Sequence, residues 1–394
     1  MRVYTYRFLC KIKKWYFGKI YRPKGYLVFS EENSWPIQLL HESFSVEPSE
    51  DLFYNHFNGR LLDETSFEMK EVRIGRIEKG RVLTNLRNAI AVIDNNGFVI
   101  GEYSFTYEKN TYGYFHHVPV SENYFLKEKK LDAPFKVSGT VFSMLTGGGK
   151  NFNFYHWFFD VLNRVVDLKE SGWYREVDYF LVPEYEQPFQ KESLEFLGIT
   201  QEKIISSAQY KHVYADCIIA SSHPRTTTYS VRSFHALNLQ RLFSLKAQLK
   251  IDSTKHYPKK FFISRSDAPR RKILNEEQLS QNLLKKEIYT IRISDYTFQE
   301  CIYLFRNADW VITTHSAALT NIIFSQNKTK VIEIFEENAV LPYYYELAKS
   351  LQMEYVPIIL ESDKKIPESR YQIQDEDIEL NIESVLQIIN QTIV

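Results

Sequence analysis

Between residues 260 and 335, short apolar runs alternate with stretches whose apolar residues recur every three or four positions. The short apolar runs predict strands. The other stretches predict helices, because apolar residues that recur every three or four positions lie on one helix face. The predicted elements, beginning with a strand and then alternating, are residues 260–264, 275–286, 288–293, 297–307, 310–313, 317–325 and 330–335. Such a series folds as a parallel sheet with helical crossovers.

A second series of this kind precedes the first in the chain. It consists of predicted strands at residues 89–93, 97–105, 136–141, 178–182 and 213–220, and predicted helices at 153–169 and 230–249. The polar, proline-containing stretch 251–258 separates the two series and marks a domain boundary. The predicted fold class is therefore α/β, with two Rossmann-like domains facing a cleft. Ligands of such sheets bind outside the carboxyl ends of the strands.

The predicted domain organisation has four parts. They are a lead-in over residues 1–80, a first Rossmann-like domain over 81–250, a second over 251–375, and a C-terminal helix within 376–394. We expect this last helix to pack back on the first domain.

Composition excludes several classes of protein. With 49 basic and 49 acidic residues the formal net charge is zero, which argues against a nucleic-acid-binding protein. Cys10, Cys217 and Cys301 are far apart, so they favour neither a metal site nor disulfides and point to a reducing cytoplasm. No run of about 18 apolar residues predicts a membrane-spanning helix. Aromatic residues reach 15%, and they can fill cores or stack on sugar rings.

The first 30 residues are basic and aromatic, and they contain no acidic residue. Lysines and arginines between tyrosine, phenylalanine and tryptophan suit the surface of an anionic membrane. An ordinary strand or helix with a solvated basic face is the alternative. We therefore expect peripheral membrane contact through residues 1–25, at the inner face of the plasma membrane, or no contact at all.

The predicted helix 153–169 has polar residues opposite its apolar face. They are Asn153, His156, Asp160, Asn163 or Arg164, and Asp167, all three or four positions apart. His156 and Asp160 lie one turn apart, and either could take a proton from an attacking hydroxyl. A solvated helix face stabilised by a polar pair is the alternative.

A stretch of small residues follows the predicted strand 310–313. Its residues are His315, Ser316, Ala317, Ala318, Leu319, Thr320 and Asn321. Small side chains let a ligand approach the backbone, and free amides at a helix start favour phosphate. A tight strand-to-helix turn without a ligand is the alternative.

Arginines follow the first strand of the second series. Arg265 and Arg271 suit a pyrophosphate, whose oxygens accept the forked donors of a guanidinium, although a basic surface loop is the alternative. Glu333 stands inside an apolar strand, where a carboxylate needs a partner. A ribose diol and an arginine are the two partners that we consider.

Three familiar binding motifs are missing. Gly149-Lys150 does not complete a Walker loop, because Met144 occupies the position of its first glycine. No GxGxxG fingerprint follows a strand, and the single DxD match, Asp375-Glu376-Asp377, lies in a polar segment. We therefore expect no cofactor and no metal requirement.

Four stretches, in this order, resemble glycosyltransferase family 61. They are Asn153-Phe154-Tyr155-His156-Trp157-Phe158-Phe159-Asp160, Phe262-Ile263-Ser264-Arg265 with Arg271 and Asn275-Glu276, His315-Ser316-Ala317-Ala318-Leu319-Thr320-Asn321, and Val331-Ile332-Glu333-Ile334. The resemblance covers roughly residues 140–340. That family includes bacterial capsular polysaccharide biosynthesis proteins. Its loop usually reads His-Gly-Ala, whereas Ser316 stands at the glycine here, and a positive φ at that position would strain a serine.

The resemblance implies a GT-B fold and an inverting, metal-independent hexosyl- or pentosyltransferase. It implies that the second domain binds the nucleotide-sugar donor and the first binds a glycan or lipid-linked glycan acceptor. Asp160 would be the base, with His156 as partner or substitute, and Asn153 and Arg164 would contact substrate. Arg265, Arg271 and the 315–321 loop would hold the diphosphate, and Glu333 the ribose. A sugar-phosphate transferase and a non-catalytic glycan-binding protein are the rival hypotheses.

Overall fold

A computed structural model describes most of the chain. The described residues are 11, 13–14, 16–17, 19–28, 35–46, 67–69, 71–109, 115–146, 153–223, 233–244, 249–337, 340–341, 343–361 and 377–392. The chain forms two compact units, one of Met1–Ser45 with Glu68–Thr228 and one of Val46–Phe67 with Tyr229–Val394. No helix within these described ranges is long and apolar enough to cross a membrane.

The first unit is built on a twelve-stranded mixed sheet. Its strands are β1 (Gly25–Leu27), β2 (Ile37–His41), β5 (Val72–Glu78), β6 (Arg81–Thr84), β7 (Ala89–Ile93), β8 (Phe98–Ile100), β9 (Phe105–Lys109), β10 (Phe115–His117), β11 (Phe135–Ser143), β12 (Tyr179–Val182), β13 (Ile204–Ser206) and β14 (His212–Ser221). Two short strands, β3 (Phe44–Val46) and β4 (Phe67–Met69), pair separately.

The sheet of the first unit has a parallel part and an antiparallel part. Strands β14, β11, β12 and β13 are neighbours in that order and all run parallel. On its other edge, β14 pairs antiparallel with β5 and then with β6. Strands from the predicted lead-in thus extend the sheet, because β2 pairs with β5 and β1 with β8. The sequence predicted a Rossmann-like domain with a parallel sheet for this unit. That prediction is wrong for the antiparallel strands.

Helices of the first unit pack on this sheet. They are Tyr124–Lys127, a continuous helix made of Phe154–His156, Trp157–Leu162 and Asn163–Glu170, and Pro188–Phe196. Asn153 caps the long helix, since its side chain accepts a hydrogen bond from the Tyr155 amide at 2.9 Å. The middle segment, Trp157–Leu162, is π-helical, a local widening that is frequent at functional sites.

The second unit confirms the predicted alternation and its parallel sheet. Five parallel strands lie in the order β16-β15-β17-β18-β19. They are β15 (Lys260–Ile263), β16 (Tyr289–Ile291), β17 (Trp310–Thr314), β18 (Lys330–Glu336) and β19 (Glu354–Leu360). The helices are Ser233–Ser244, Glu276–Leu284, Phe298–Arg306, the 3₁₀ helix Ala317–Phe324, Tyr343–Ser350 and Ile382–Thr392. In this order the sheet reverses its direction of growth between β15 and β17, which makes a topological switch point.

The C-terminal helix Ile382–Thr392 packs in the second unit, which corrects the expectation that it returns to the first domain. Its buried residues Ile382, Val385 and Ile389 join a core cluster with the helix Glu276–Leu284 and strand β19. Asn275 occupies the N-cap position of the helix Glu276–Leu284, but its side chain makes no capping bond. Its amide instead donates to the Leu380 carbonyl at 2.7 Å and accepts from the Leu380 amide at 3.0 Å.

Candidate active site

Two loops meet at the switch point of the second unit's sheet. One follows β15 and begins with Ser264 and Arg265, and the other follows β17 and begins with His315 and Ser316. Strands β15 and β17 are parallel neighbours, so their carboxyl ends open on the same edge. Arg265 and Ser316 are in direct contact there, with Nη1 donating to Oγ at 2.9 Å. The structure therefore brings these predicted residues together.

Glu276 holds the arginine-bearing loop in place. It stands at the start of the helix Glu276–Leu284, and its Oε2 accepts from the Arg265 amide at 2.7 Å. Its Oε1 accepts a hydrogen bond from the Ser264 hydroxyl. A carboxylate in a first helical turn is also favoured by the helix dipole. The sequence analysis assigned no role to Glu276 itself. The only sequence feature that pointed to it was its position in the motif Asn275-Glu276.

Arg265 and Arg271 form a pair of like charges. Burial, and then the charge of Arg271, lower the pKa of Arg265 to about 10. Arg265 Nε donates to the Arg271 carbonyl at 3.2 Å, and Arg271 Nη1 donates to the His315 carbonyl at 3.2 Å. Arg271 has a φ of 55°, a left-handed conformation that costs free energy in a non-glycine residue. Two cations held close together make a site for an anion.

Ser316 is accommodated without backbone strain. Its φ of −151° and ψ of 143° are extended, so the position does not require glycine. Its hydroxyl accepts from the Ala318 amide at 3.2 Å and from Arg265. The serine thus caps the 3₁₀ helix and joins it to the arginine loop.

The rest of the small-residue loop contributes less than expected. Ala317 and Ala318 are half-buried, whereas Leu319, Thr320 and Asn321 are buried. The Ala318 and Leu319 amides are already engaged by the Ser316 hydroxyl and carbonyl. The side chains of residues 319–321 pack inward, so only the backbone of this part of the loop could meet a ligand. Its role in holding the diphosphate stays a prediction.

His315 is held by a buried carboxylate. Its Nδ1 lies 2.6 Å from Glu333 Oε1, and the Tyr355 hydroxyl donates to Glu333 Oε2 at 2.5 Å. Burial, and then the charge of Glu333, raise the pKa of Tyr355. Glu333 is fully buried, whereas the His315 side chain is 16% exposed. The partners of Glu333 are thus a histidine and a tyrosine, neither of the two that the sequence suggested.

Aromatic rings surround His315. Phe335 stacks at a centroid distance of 5.8 Å, and Tyr344 and Tyr343 lie at 5.3 and 5.9 Å. Sequence reasoning missed Tyr355 and Tyr344, because the elements that carry them were not predicted. The rings and Glu333 together fix the orientation of the imidazole.

His156 and Asp160 form a second histidine–carboxylate pair, in the first unit. His156 Nδ1 lies 2.9 Å from Asp160 Oδ2. The His156 side chain is 27% exposed and that of Asp160 is fully buried. Of the two candidate bases, only the histidine has exposed side-chain surface.

Three further polar residues of the predicted stripe face the interior, not solvent. Asn163, Arg164 and Asp167 are all buried, which overturns the expectation of a polar surface stripe. Arg164 Nη1 donates to the Ser221 carbonyl at 2.8 Å, and burial lowers the pKa of Arg164 to about 10. Arg164 is thus held by packing, and Asn153 caps the helix. Substrate contact by either residue stays a prediction.

Metal-ligating residues do not cluster in the described part of the chain. No group of three or more histidine, cysteine or acidic side chains close enough to hold an ion occurs there. Asp377, from the single DxD match, accepts from the Lys272 amide at 2.8 Å.

Comparison with known proteins agrees with this geometry. Residues 154–332 match the family model described as Glycosyltransferase 61. The match includes His156, Asp160, both arginines and the loop of Ser316, and it ends one residue before Glu333. No curated protein matches the chain. The chain is therefore a glycosyltransferase. The matched segment, which is less than half of the chain, is similar to glycosyltransferase family 61.

Proposed function

We propose that the chain is an inverting, metal-independent transferase that moves a sugar from a nucleoside diphosphate to a hydroxyl group of a surface polysaccharide. The observation that supports this most directly is the Arg265–Arg271 pair on the Ser316 loop. Two guanidinium groups whose positive charges repel each other gain free energy when an anion lies between them. A leaving diphosphate is such an anion, and the arginines supply positive charge that a metal ion supplies elsewhere.

His156 would act as the general base, with Asp160 as its positioning partner. The family resemblance made Asp160 the base and His156 its partner or substitute. We exchange these roles because the Asp160 side chain is fully buried. With Nδ1 bound to Asp160, Nε2 can accept the proton of the acceptor hydroxyl. The acceptor oxygen then forms a bond to the anomeric carbon. The bond to the diphosphate breaks, and its electron pair leaves with the nucleotide.

His315 would stabilise the leaving diphosphate, with Glu333 as its positioning residue. Inversion requires the base and the leaving group to lie on opposite sides of the anomeric carbon. We therefore propose the GT-B arrangement, with the first unit binding the acceptor and the second binding the donor.

Nucleotide binding tests the donor site. Calorimetric titration with UDP, GDP and ADP should show at least one ligand with a measurable affinity. Arg271→Ala and Arg265→Lys should weaken it about 10- to 100-fold, the range for losing a charged hydrogen bond. Arg292→Ala is the control, because Arg292 pairs with Asp295 on an exposed surface. Unchanged affinity in both variants with an intact circular dichroism spectrum would remove the arginines from the site.

Product analysis tests the reaction. NMR of the product should show an anomeric configuration opposite to that of the donor, and turnover should persist in EDTA. A phosphodiester in the product would instead establish a sugar-phosphate transferase.

The N-terminal segment supports a peripheral location at an anionic membrane, on the cytoplasmic side. Tyr16 and Ile20, one helical turn apart, are 56% and 53% exposed. The neighbouring Lys11, Lys13 and Lys19 are exposed as well. An apolar pair among lysines suits an anionic lipid surface, where a lipid-linked acceptor would also lie.

A further inference from the structure

Arg164 lies one helical turn beyond Asp160, in the interior of the first unit. Both belong to the continuous helix of residues 154–170, and side chains four positions apart share one side of a helix. Arg164 is 2% exposed and Asp160 is fully buried. A guanidinium group and the carboxylate that contacts His156 are therefore neighbours inside the protein.

The guanidinium of Arg164 is held from the sheet. Its Nη1 donates to the Ser221 carbonyl at 2.8 Å and to the Ser221 hydroxyl at 3.4 Å, at the end of β14. Burial lowers the pKa of Arg164 to about 10, and the charges of Asp167 and Asp160, and then Tyr107, act in the opposite direction. At neutral pH, Arg164 is therefore a fixed buried cation between two carboxylates.

The positive charge of Arg164 matters most while His156 is neutral. A general base must be neutral before it accepts a proton. In that state Asp160 has no imidazolium beside it, and a buried carboxylate is costly unless a cation offsets its charge. Without such a cation, the histidine and the carboxylate together would hold their proton more tightly.

We propose that Arg164 is a positioning residue for the transfer reaction, whose charge offsets that of Asp160 and so keeps His156 in its neutral form. The inference rests on the proposed function, because it takes His156 as the base. Proton transfer from the acceptor hydroxyl to His156 Nε2 then places an imidazolium beside Asp160. Arg164 fulfils this role without touching substrate.

Two further groups bear on the titration. Among the described residues, Asp167 and Tyr107 also interact with the Arg164 guanidinium. The Tyr107 hydroxyl lies 3.2 Å from His223 Nε2. Asp167 lies two turns beyond Asp160, so Arg164 is nearer to Asp160 along the helix.

An NMR titration of the full chain, labelled with carbon-13 in its histidine rings, tests the proposal. His156→Gln identifies the His156 signal. Arg164→Met should move the pH midpoint of that signal upward by about one unit, the usual effect of removing a nearby cation. Arg164→Lys keeps the charge and should restore the original midpoint. Asp167→Asn is the control of opposite sign, because loss of an anion should move the midpoint downward.

Activity gives a second measurement that a purely structural role would not reproduce. With a nucleotide sugar that the protein turns over, kcat of Arg164→Met should fall about tenfold near neutral pH, since a shift of one unit is a factor of ten. It should recover as the pH rises. An equal loss of kcat at every pH, or an unchanged midpoint of the His156 signal, overturns the proposal and leaves Arg164 with packing alone.

The double variant Arg164→Met with Asp167→Asn replaces Arg164→Met if that protein does not fold, because it removes one buried charge of each sign. Its midpoint should still rise, since Arg164 is nearer to Asp160. The titration needs no donor, so it separates two failures. An unchanged midpoint with normal nucleoside diphosphate binding removes only Arg164 from the mechanism. A raised midpoint in a protein that binds no nucleoside diphosphate overturns the proposed function, and with it the role of Arg164 in transfer.

Discussion

His156 Nδ1 lies 2.9 Å from Asp160 Oδ2, and of these two side chains only the histidine has exposed surface, 27% against none. The carboxylate can thus accept the Nδ1 proton and leave Nε2 as the basic nitrogen. We therefore propose that His156 transfers the proton and that Asp160 orients the imidazole.

Substitution of this pair should reduce turnover without loss of donor binding. We expect His156→Ala to lower kcat by about 10²- to 10⁴-fold, the usual contribution of a general base. Asp160→Asn should lower kcat less, since the imidazole remains, and should shift the pH profile of kcat. Nucleoside diphosphate affinity is the control measurement. Near-normal turnover of His156→Ala together with an inactive Asp160→Asn would make the carboxylate the base.

Glu333 is hydrogen-bonded to His315 and Tyr355. Substitutions at Glu333 and Tyr355 should therefore affect catalysis through His315, and not only the stability of the fold. We expect Glu333→Gln and Tyr355→Phe to lower kcat, with the larger loss in Glu333→Gln, because His315 then loses the negative charge beside its Nδ1. Each should also lower the free energy of unfolding by about 1–3 kcal/mol, the cost of leaving a buried polar group unsatisfied. Glu354→Gln is the control, since Glu354 is exposed and pairs with Lys330. Equal kcat values in all three variants would reduce Glu333 to a structural role.

The first unit should lose stability in mild acid through His212. Burial lowers the pKa of His212 to about 4, and its Nδ1 lies 2.8 Å from the Asp132 carbonyl. Above the pKa of about 6.5 in the unfolded chain, both states hold a neutral imidazole. Between about pH 6.5 and 4 only the unfolded chain takes up the proton, so stability falls by about 3 kcal/mol.

Urea unfolding at several pH values checks this expectation. His212→Gln should lower stability at neutral pH but remove most of the decline between about pH 6.5 and 4, because glutamine does not titrate. A decline as steep as in the unmodified protein would assign the acid sensitivity to other groups.

The N-terminal segment should bind anionic vesicles. We expect the full chain to sediment with phosphatidylglycerol-containing vesicles and not with pure phosphatidylcholine. Tyr16→Glu with Ile20→Glu should weaken binding about tenfold or more, because both side chains would otherwise enter the interface. Leu274→Glu, at a residue that is 66% exposed in the second unit, is the control. Equal binding by the double variant would show that the segment is not the membrane contact.

Much of the second unit follows from local pattern. The alternation of apolar runs and helical spacings between residues 260 and 335 predicts four of its five parallel strands and most of the crossovers, because these periodicities reflect burial of one face. The motifs after β15 and β17 can also be located, since a strand end is visible where the apolar run stops. The fold of the first unit is harder to predict from the sequence, because its antiparallel strands come from residues without clear periodicity.

Which side chains are exposed could not be read from the same patterns. Spacing places His156, Asp160 and Arg164 on one stripe, but only the packing of the whole helix shows that Asp160 and Arg164 are buried. Glu333 contacts His315 and Tyr355, which are 18 and 22 residues away along the chain. Local periodicity reports which face of an element avoids water. The partners of a buried charge depend on how distant elements pack, and that is decided only when the chain has folded.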